Sequence, residues 1–484
     1  MTPDSRHLSR ATGVLVTVFA AILALGSLRP VGDPDLFWHL RTGEHLWTTW
    51  AFAGPEPWSR FSSEPWVLHE WLPELVFLGT YRVGGFAALA WLQAALAVAL
   101  FLTLYGSCRR FVGPAPAGIL AGVGWLGASA GLNLRPQAVT FVLLVVTTTT
   151  WLRTVEDRRA RWWLVPLSFL WACSHGMWFT GPLVGYAVVL GLALDRRVTR
   201  AEGFRLLAVP ALGTVAAALT PAGPRLLLAP FSVQAYTEYV SEWGAPRLTD
   251  PNVFATLFLA LLVVVLWSRS TDRTSWTGIG LLVVAVGWSL LYARTVAVGA
   301  CMLTPLLAHA AGRLLVPGLA AGNGTGTKGG SASLRQRMAI PAVSVLCLAV
   351  TAVAAPAVAA RPAGVPDALD ARLSALPPET VVLNAYQLGG WLHWRHRQLS
   401  PVIDGRTEVY SMSHVDAYMR ARKALPGWEG TVGATTARVA LLEEDLPLTA
   451  ALERGLGWCR VAEDAGYLLL EAPGGPEGCT GLTR

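Results

Sequence analysis

Long apolar runs separated by short polar clusters dominate the chain. Each run, at roughly 17 to 22 residues, is long enough to cross a hydrocarbon core about 30 Å thick as a helix. The dyad alternation of a membrane β-barrel is absent from the sequence. The pattern therefore predicts an α-helical polytopic membrane protein with about eleven transmembrane helices, near residues 11–28, 84–105, 115–131, 137–153, 162–175, 178–194, 204–220, 253–268, 276–292, 295–312 and 339–358.

Composition agrees with this pattern. Hydrophobic residues make up 53% of the chain and charged residues 14%, and the mean hydropathy of +0.45 is too high for a soluble protein of 484 residues. The first apolar run follows basic residues but lacks a small-residue cleavage site, so we expect an uncleaved first span. The run over 162–194 is interrupted at His175 and Gly176, which predicts either two short spans or a helical hairpin.

Basic residues give the expected orientation in the cell membrane. They concentrate in alternate connections between the spans, and such residues are retained in the cytoplasm during insertion. We therefore expect the N-terminus and residues 313–338 in the cytoplasm, and residues 29–83 and 361–484 outside. The pI of about 9.3 then reflects topology and contact with anionic lipid headgroups, and it does not indicate nucleic-acid binding.

The domain organisation follows from the same pattern. Residues 1–315 form a predicted transmembrane core with a catalytic-type outer loop at 29–83. The Gly- and Ser-rich segment 316–338 is a predicted flexible cytoplasmic linker, and 339–358 is the last transmembrane helix. Residues 361–484 contain strand and helix patterns such as TVVLNAYQLGGWLHW, PVIDGRTEVY, ARVALLEE and YLLLEA, which predict a small exported α/β domain.

The six cysteines divide by location. Cys459 and Cys479 share the predicted exported domain, where oxidation is permitted, so we expect a disulfide between them. Cys173, Cys301 and Cys347 fall inside predicted spans and are expected to pack as small apolar side chains. The spacing of cysteine and histidine residues does not indicate a zinc site.

The first outer loop concentrates polar side chains at the predicted membrane surface. Asp33 follows the first span directly, and an N-cap role before Pro34 is its structural explanation. Glu70 and Glu74 stand four residues apart on a predicted helix, so they repel unless a proton, a cation or a basic group lies between them. The N-cap explanation does not account for the other candidate residues of the loop, which are Asp35, His39, Arg41, His69, Glu70 and Glu74.

Other polar residues occupy turns that are predicted to face outside. His175 lies at the break between two apolar runs, and Arg294 lies where two spans meet. A membrane-interface histidine or arginine is a functional candidate because exposing its charge to lipid is costly, although a snorkelling or capping role is the alternative. The sequence Asp404-Gly405-Arg406 predicts a structured turn, with binding of an acceptor as the alternative.

The segment DPDLFWHLRTG, followed by PWVLHEWLPE, many spans and an exported C-terminal domain, resembles the GT-C class of polytopic glycosyltransferases. More narrowly, it is similar to a bacterial group whose members are mostly uncharacterised. The resemblance covers the whole predicted topology. It implies an envelope glycosyltransferase that moves a sugar from a polyprenyl-phosphate-linked donor to a glycan, lipid or protein acceptor outside the cytoplasm.

The resemblance also implies roles for the polar residues. Asp33 or Asp35 would accept the proton of the acceptor hydroxyl. The charge of the departing phosphate would be offset by Arg41, Arg294 and His175. The remaining candidates for substrate binding are His39, His69, Glu70 and Glu74. A divalent cation held by Asp33 and Asp35 is the candidate cofactor.

We further expect Asp33, Asp35, His69 and Glu70 to converge beneath the exported domain, beside an apolar groove that holds the polyprenyl tail. Two other functions are compatible with the sequence. A transporter or lipid flippase predicts internal repeats and charges deep within spans, and neither is clear in this chain. A non-catalytic envelope scaffold that binds a glycan or lipid through the same loop is the other alternative.

Overall fold

The computed structural model describes residues 16–228, 243–271, 273–315 and 334–474. The chain divides into two compact units. The membrane unit comprises residues 1–30 and 83–360, and the mixed unit comprises residues 31–82 and 361–484. The predicted domain boundaries assign the outer loop to the transmembrane core, whereas its contacts group it with the C-terminal segment.

Helices account for most of the described residues. In chain order they are α1 Val16–Ser27, α2 Asp35–Thr49, α3 Trp71–Cys108, α4 Pro114–Ala128, α5 Gln137–Asp157, α6 Leu164–Ala172, α7 Thr180–Leu194, α8 Arg200–Ala218, α9 Pro251–Arg269, α10 Trp276–Leu291, α11 Val296–Leu315, α12 Leu334–Val358, α13 Asp370–Ala375, α14 Gly389–Arg395, α15 Met412–Arg422, α16 Trp428–Thr435 and α17 Pro447–Leu456.

The membrane unit carries the long apolar helices. Within the described part of the chain, six helices are long and apolar enough to cross a membrane, and they contain α3, α5, α7, α8, α9 and α11. The chain is therefore an integral membrane protein, while eleven spans stay a prediction. Helix α6 has nine residues, which at 1.5 Å per residue is too short to cross alone, and it ends just before the predicted break at His175.

Small residues let the helices of the membrane unit approach closely, as is common between membrane helices. A Cβ atom added to Gly127 would lie 2.6 Å from the Thr256 hydroxyl and 2.7 Å from the Ala300 Cβ. These distances are shorter than van der Waals contact. Gly127 on α4 therefore fixes how closely α4 packs against α9 and α11.

Residues 31–82 of the mixed unit contain regular secondary structure. After α2 the chain forms a two-stranded antiparallel hairpin of β1 Ala53–Gly54 and β2 Trp66–Val67, and α3 begins at Trp71. Helix α3 is broken by non-helical backbone at Gly84 and Gly85, and Gly85 has a φ of 60° that favours glycine. Residues 71–82 thus belong to the mixed unit and the remainder of α3 to the membrane unit.

The C-terminal part of the mixed unit contains a five-stranded sheet. Its strands are β3 Val381–Asn384, β4 Ser400–Pro401, β5 Val439–Glu443, β6 Cys459–Asp464 and β7 Tyr467–Glu471, in the spatial order β4-β3-β5-β7-β6. Strand β3 pairs in parallel with β4 and β5, and β7 pairs antiparallel with β5 and β6. The side of the membrane on which this sheet lies stays a prediction.

One strand prediction needs correction, and one strand was not predicted. PVIDGRTEVY is not a full strand, because β4 ends at Pro401 and the Asp404 carboxylate accepts a hydrogen bond from the Arg406 amide at 2.8 Å, which turns the chain away from the sheet. The segment Cys459–Asp464, which was not predicted to be a strand, is strand β6 at the sheet edge.

Candidate functional site

The predicted acidic pair stands at the start of α2. Asp33 is buried, and its Oδ1 accepts a hydrogen bond from the Asp35 amide at 3.0 Å. The first amide groups of a helix have no hydrogen-bond acceptor within the helix, and Asp33 provides one for the Asp35 amide. Asp35 is partly exposed, and its Oδ1 accepts from the Trp38 indole at 3.1 Å. Asp33 therefore caps the helix that orients Asp35.

Two glycines of the C-terminal segment make room for this helix start. A Cβ atom on Gly405 would overlap the Asp35 carboxylate, and one on Gly390 would lie 3.1 Å from the Pro34 carbonyl oxygen. The Tyr386 hydroxyl donates to the Gly405 carbonyl at 3.3 Å. Burial, together with the charges of Asp35 and nearby carboxylates, raises the pKa of Tyr386 well above its ordinary value. Asp35 and Tyr386 thus share one electrostatic environment, in which Tyr386 stays a hydrogen-bond donor.

Arg406, which follows Gly405 in the chain, is fully buried. The Arg406 guanidinium pairs with Asp404 at 2.6 Å and with Glu56 at 2.8 Å. It also lies over the indole rings of Trp58 and Trp66, at 4.8 Å and 5.1 Å from their centroids. A buried charge is tolerated only when it is paired in this way. Arg406 therefore joins the loop within residues 31–82 to the C-terminal segment of the mixed unit.

The charge states of Asp404 and Arg406 are determined by the residues around them. Burial alone would raise the pKa of Asp404, but the charge of Arg406, its hydrogen bonds and the His393 imidazole 3.2 Å away hold that pKa well below its usual range. The Tyr410 hydroxyl donates to Asp404 at 2.9 Å. Burial and the neighbouring Asp404 charge raise the pKa of Tyr410 well above its ordinary value. Asp404 thus remains a carboxylate and Arg406 remains a cation, as a structural ion pair requires.

Glu70 and Glu74 each lie beside a histidine. The His39 imidazole lies 3.2 Å from Glu74, with both side chains buried, and His69 lies 3.6 Å from Glu70. Burial lowers the pKa of His69, but the Glu70 carboxylate and the Glu408 charge outweigh this and raise it to about 9. Each of the two glutamates therefore has an imidazole ring beside it.

Arg41 is engaged in a pair of its own. Its guanidinium donates to Glu44 at 2.8 Å and lies over the Trp58 ring at 5.4 Å from the centroid. Glu44 also pairs with Arg397 at 2.8 Å. Burial and the charge of Arg397 lower the pKa of Arg41. One carboxylate is thus shared by two guanidinium groups, which leaves positive charge at this position for an anionic group.

His175 and Arg294 belong to the membrane unit. The Nδ1 atom of His175 lies 3.0 Å from the Thr140 hydroxyl and accepts a hydrogen bond from the Met177 amide at 3.4 Å, so His175 caps the turn at the helix break. The Arg294 guanidinium donates to Gln137 at 3.3 Å and lies over the Trp243 ring at 4.6 Å from the centroid. These contacts are capping and stacking interactions, and the predicted roles in binding phosphate stay predictions.

The convergence of Asp33, Asp35, His69 and Glu70 stays a prediction, but residues that the sequence analysis did not name link their electrostatic surroundings. Tyr386 lies within the electrostatic influence of both Asp35 and Glu408, and Glu408 also acts on His69. Glu56, Tyr386 and Glu408 carry no local sequence signal for these contacts. The catalytic and substrate-binding roles predicted for the loop residues stay predictions.

Two other predictions concern a metal and a disulfide. Among the described residues, no group of three or more His, Cys, Asp and Glu side chains is arranged to hold a metal ion. The divalent cation stays an untested hypothesis. Cys459 begins strand β6, but Cys479 lies outside the described residues, so the disulfide also stays a prediction.

No protein-family model and no curated protein sequence matches the chain. Solved structures do match. The Archaeoglobus fulgidus oligosaccharyltransferase in its apo form is 12% identical, with a TM-score of 0.57 over 92% of this chain and 70% of that one. The Archaeoglobus fulgidus oligosaccharyltransferase AglB in complex with an inhibitory peptide and a dolichol-phosphate is 13% identical, with a TM-score of 0.54 over 89% and 69%.

A weaker match is ArnT from Cupriavidus metallidurans in the apo state, at 16% identity and a TM-score of 0.49 over 94% of this chain and 97% of that one. The similar structures are GT-C glycosyltransferases, as the resemblance in the sequence predicted. At these identities the likeness concerns the fold. The chain therefore has the fold of the GT-C glycosyltransferases.

Proposed function

We propose that this protein is a membrane glycosyltransferase that moves a sugar from a polyprenyl-phosphate-linked donor to an acceptor outside the cytoplasm. The observation that supports this most is the fold likeness to the oligosaccharyltransferase, which extends over 92% of the chain. A second support is the position of Asp35 at the start of α2, partly exposed and oriented by Asp33 and Trp38.

In this proposal Asp35 is the base. A base must reach the acceptor hydroxyl, and Asp35 is partly exposed whereas Asp33 is buried and holds the Asp35 amide. Asp33 is then a positioning residue. The bond between the sugar and the phosphate breaks as the bond to the acceptor oxygen forms, and the acceptor proton passes to the Asp35 carboxylate.

The departing polyprenyl phosphate carries negative charge that must be offset. Arg41 is our candidate in the mixed unit, because the Glu44 carboxylate is shared with Arg397 and the pair of guanidinium groups retains net positive charge. Arg294 and His175 are the candidates in the membrane unit. His39, His69, Glu70 and Glu74 are proposed to shape the acceptor side of the site.

The test is complementation of a deletion strain. Envelope glycans and lipids would be compared by mass spectrometry between the wild-type strain, the deletion strain and strains carrying Asp35→Asn, Asp33→Asn or both. Glu64→Gln is the matched control, because Glu64 is an exposed carboxylate of the same loop. We expect the deletion to remove a glycosylated species, Glu64→Gln to restore it and Asp35→Asn to leave it absent.

Protein abundance in the membrane is measured in parallel, so that a folding defect is separated from a catalytic one. Full restoration by the double variant would remove the enzyme proposal, since neither amide accepts a proton at neutral pH. That result, together with retained binding of undecaprenyl phosphate by the double variant, would favour a non-catalytic envelope scaffold that binds a glycan or lipid.

A further inference from the structure

Two connectors of the membrane unit, one between α5 and α6 and one between α7 and α8, form a positively charged surface. The Arg158 guanidinium donates to the Arg197 carbonyl oxygen at 3.1 Å, and Arg205 on α8 donates to the Arg158 carbonyl oxygen at 3.3 Å. The connectors therefore lie side by side. With the adjoining helix turns they comprise residues 157–163 and 195–205, called the basic surface below, which contain seven arginines and three acidic residues.

The three acidic side chains of the basic surface are engaged within the protein. Asp157 pairs with Arg161 at 2.8 Å. Glu202 closes a capping box at the start of α8, and the Asp195 carboxylate accepts a hydrogen bond from the first amide of α10 at 3.0 Å. The other arginines thus dominate the charge that this surface presents, and four of them are exposed on the connectors and the first turn of α8, namely Arg159, Arg196, Arg197 and Arg200.

Some of these arginines stand where their surroundings do not favour them. Arg200 begins α8, and the helix macrodipole opposes a cation in the first turn of a helix. Arg196 has a φ of 54°, in the left-handed region that favours glycine. Partial burial and the charge of Arg197 lower the pKa of Arg158, because neighbouring guanidinium groups repel each other. An anion bound to this surface would relieve that repulsion.

Exposed aromatic side chains lie on the same surface. Trp162 and Trp163 stand directly before α6 and are 48% and 46% exposed, and Phe204 on α8 is 72% exposed. Helix α8 is apolar and long enough to cross a membrane, and Phe204 lies about 6 Å along it from Arg200. Tryptophan concentrates at the headgroup level of membranes. A lipid surface offers negative charge and apolar contact together, which suits this combination of side chains.

We propose that the basic surface binds anionic phospholipid, with the exposed arginines on the phosphate groups and the three aromatic side chains among the glycerol and first acyl carbons. The C-termini of α5 and α7 and the N-termini of α6 and α8 meet at this surface, so their macrodipoles oppose one another. Selectivity for an anionic headgroup then depends on the arginine side chains. This binding does not require the proposed transferase activity.

The experiment uses the full-length protein in detergent micelles. Native mass spectrometry measures the apparent Kd for phosphatidylglycerol and, separately, for phosphatidylcholine, whose headgroup carries no net negative charge. The triple variant is Arg196→Gln, Arg197→Gln, Arg200→Gln, which removes three exposed guanidinium groups. The matched control removes the same charge from exposed side chains of the mixed unit, as Arg420→Gln, Lys423→Gln, Arg454→Gln. Size-exclusion profiles and thermal unfolding verify that each variant is folded.

We expect the wild type and the control to prefer phosphatidylglycerol by roughly tenfold or more, and the triple variant to lose most of this preference, because each arginine near an anionic surface contributes about fivefold. Raising ammonium acetate from about 50 to about 500 mM should weaken the wild-type preference, since the screening length falls from about 14 to about 4 Å. A Trp162→Ala, Trp163→Ala variant should bind both lipids more weakly and keep the preference, because the indole rings contact uncharged parts of the lipid.

An equal preference for phosphatidylglycerol in the wild type and the triple variant would overturn the proposal. So would an equal loss in the control, since removal of charge anywhere on the protein would then suffice. Unchanged binding of both lipids by the tryptophan variant would contradict the aromatic part of the surface. Binding of a fluorescent decaglutamate peptide that phosphatidylglycerol does not displace would assign the surface to an acidic protein segment and overturn the lipid proposal.

Discussion

The Arg406 guanidinium donates to the Glu56 carboxylate at 2.8 Å, although the two residues stand 350 positions apart in the chain. Both side chains are fully buried. This ion pair, with Asp404 on the other side of the guanidinium, holds the loop within residues 31–82 to the C-terminal segment inside the mixed unit. It is also the contact through which the stability of that unit is most directly tested.

Glu56→Gln should lower the free energy of unfolding by about 1.5–3 kcal/mol, because a charged hydrogen bond is lost while Arg406 stays paired with Asp404. Asp404→Asn should cost more, about 3–5 kcal/mol, since it removes the principal partner of a buried cation. Thermal unfolding in detergent measures both. The exposed Glu64→Gln should stay within about 0.5 kcal/mol of the wild type. Equal effects of Glu56→Gln and Glu64→Gln would contradict the ion pair.

Gly405→Ala should destabilise the mixed unit by about 1–3 kcal/mol and reduce the proposed transfer activity, because the added Cβ would displace the Asp35 carboxylate. Gly430→Ala is the control, since a Cβ at Gly430 meets no atom within 4 Å. Unfolding and complementation are measured for both variants. A Gly405→Ala protein with wild-type stability and activity would show that Asp35 does not need this close approach.

The ion pair of His69 and Glu70 should make stability depend on pH. The pKa of His69 is raised from 6.5 in the unfolded chain to about 9 in the folded one, so the protonated form is favoured by folding. Its contribution is fully present below about pH 6.5 and is lost as the pH rises through about 9. The difference in Tm between the wild type and His69→Gln should therefore shrink between about pH 6.5 and pH 10.

His45→Gln provides the contrast for this pH series. Burial and the charge of Arg41 lower the pKa of His45, so His45 is already neutral throughout the alkaline range. The effect of His45→Gln on Tm should not change between about pH 7 and pH 10. A His69→Gln effect that is equally constant over this range would rule out the His69 ion pair.

The cap formed by Asp33 should be separable from any catalytic role. Asp33→Ala should lower the free energy of unfolding by about 1 kcal/mol, because the Asp35 amide loses its acceptor, whereas Asp33→Asn should retain most of the stability. If Asp33 only positions Asp35, Asp33→Asn should also retain activity in complementation. Loss of activity in a stable Asp33→Asn protein would instead make Asp33 the base.

The disulfide between Cys459 and Cys479 remains a prediction from the sequence. It would close a loop of about twenty residues and stabilise the C-terminal segment by roughly 3 kcal/mol. Mass spectrometry of peptides from the unreduced protein should recover the two cysteines linked. Recovery of both as free thiols from protein purified under oxidising conditions would contradict the bond.

The sequence alone determined the features that depend on local composition and period. The apolar runs identified the helices of a membrane protein. The loop sequences DPDLFWHLRTG and PWVLHEWLPE carried the resemblance to the GT-C class, and the similar solved structures have that fold. The N-cap role of Asp33 was also readable, because a cap bonds to an amide two or three residues away.

Only the tertiary structure decided the partners of the buried charges. The pairs His39 with Glu74 and Glu56 with Arg406 join residues 35 and 350 positions apart, and the approach of Asp35 to Gly405 spans a similar separation. Periodicity reports which face of a helix or strand is apolar, but not which distant segment covers it. The pairing of a buried charge is decided by the element that packs over it, because only that element can replace the water that the charge loses.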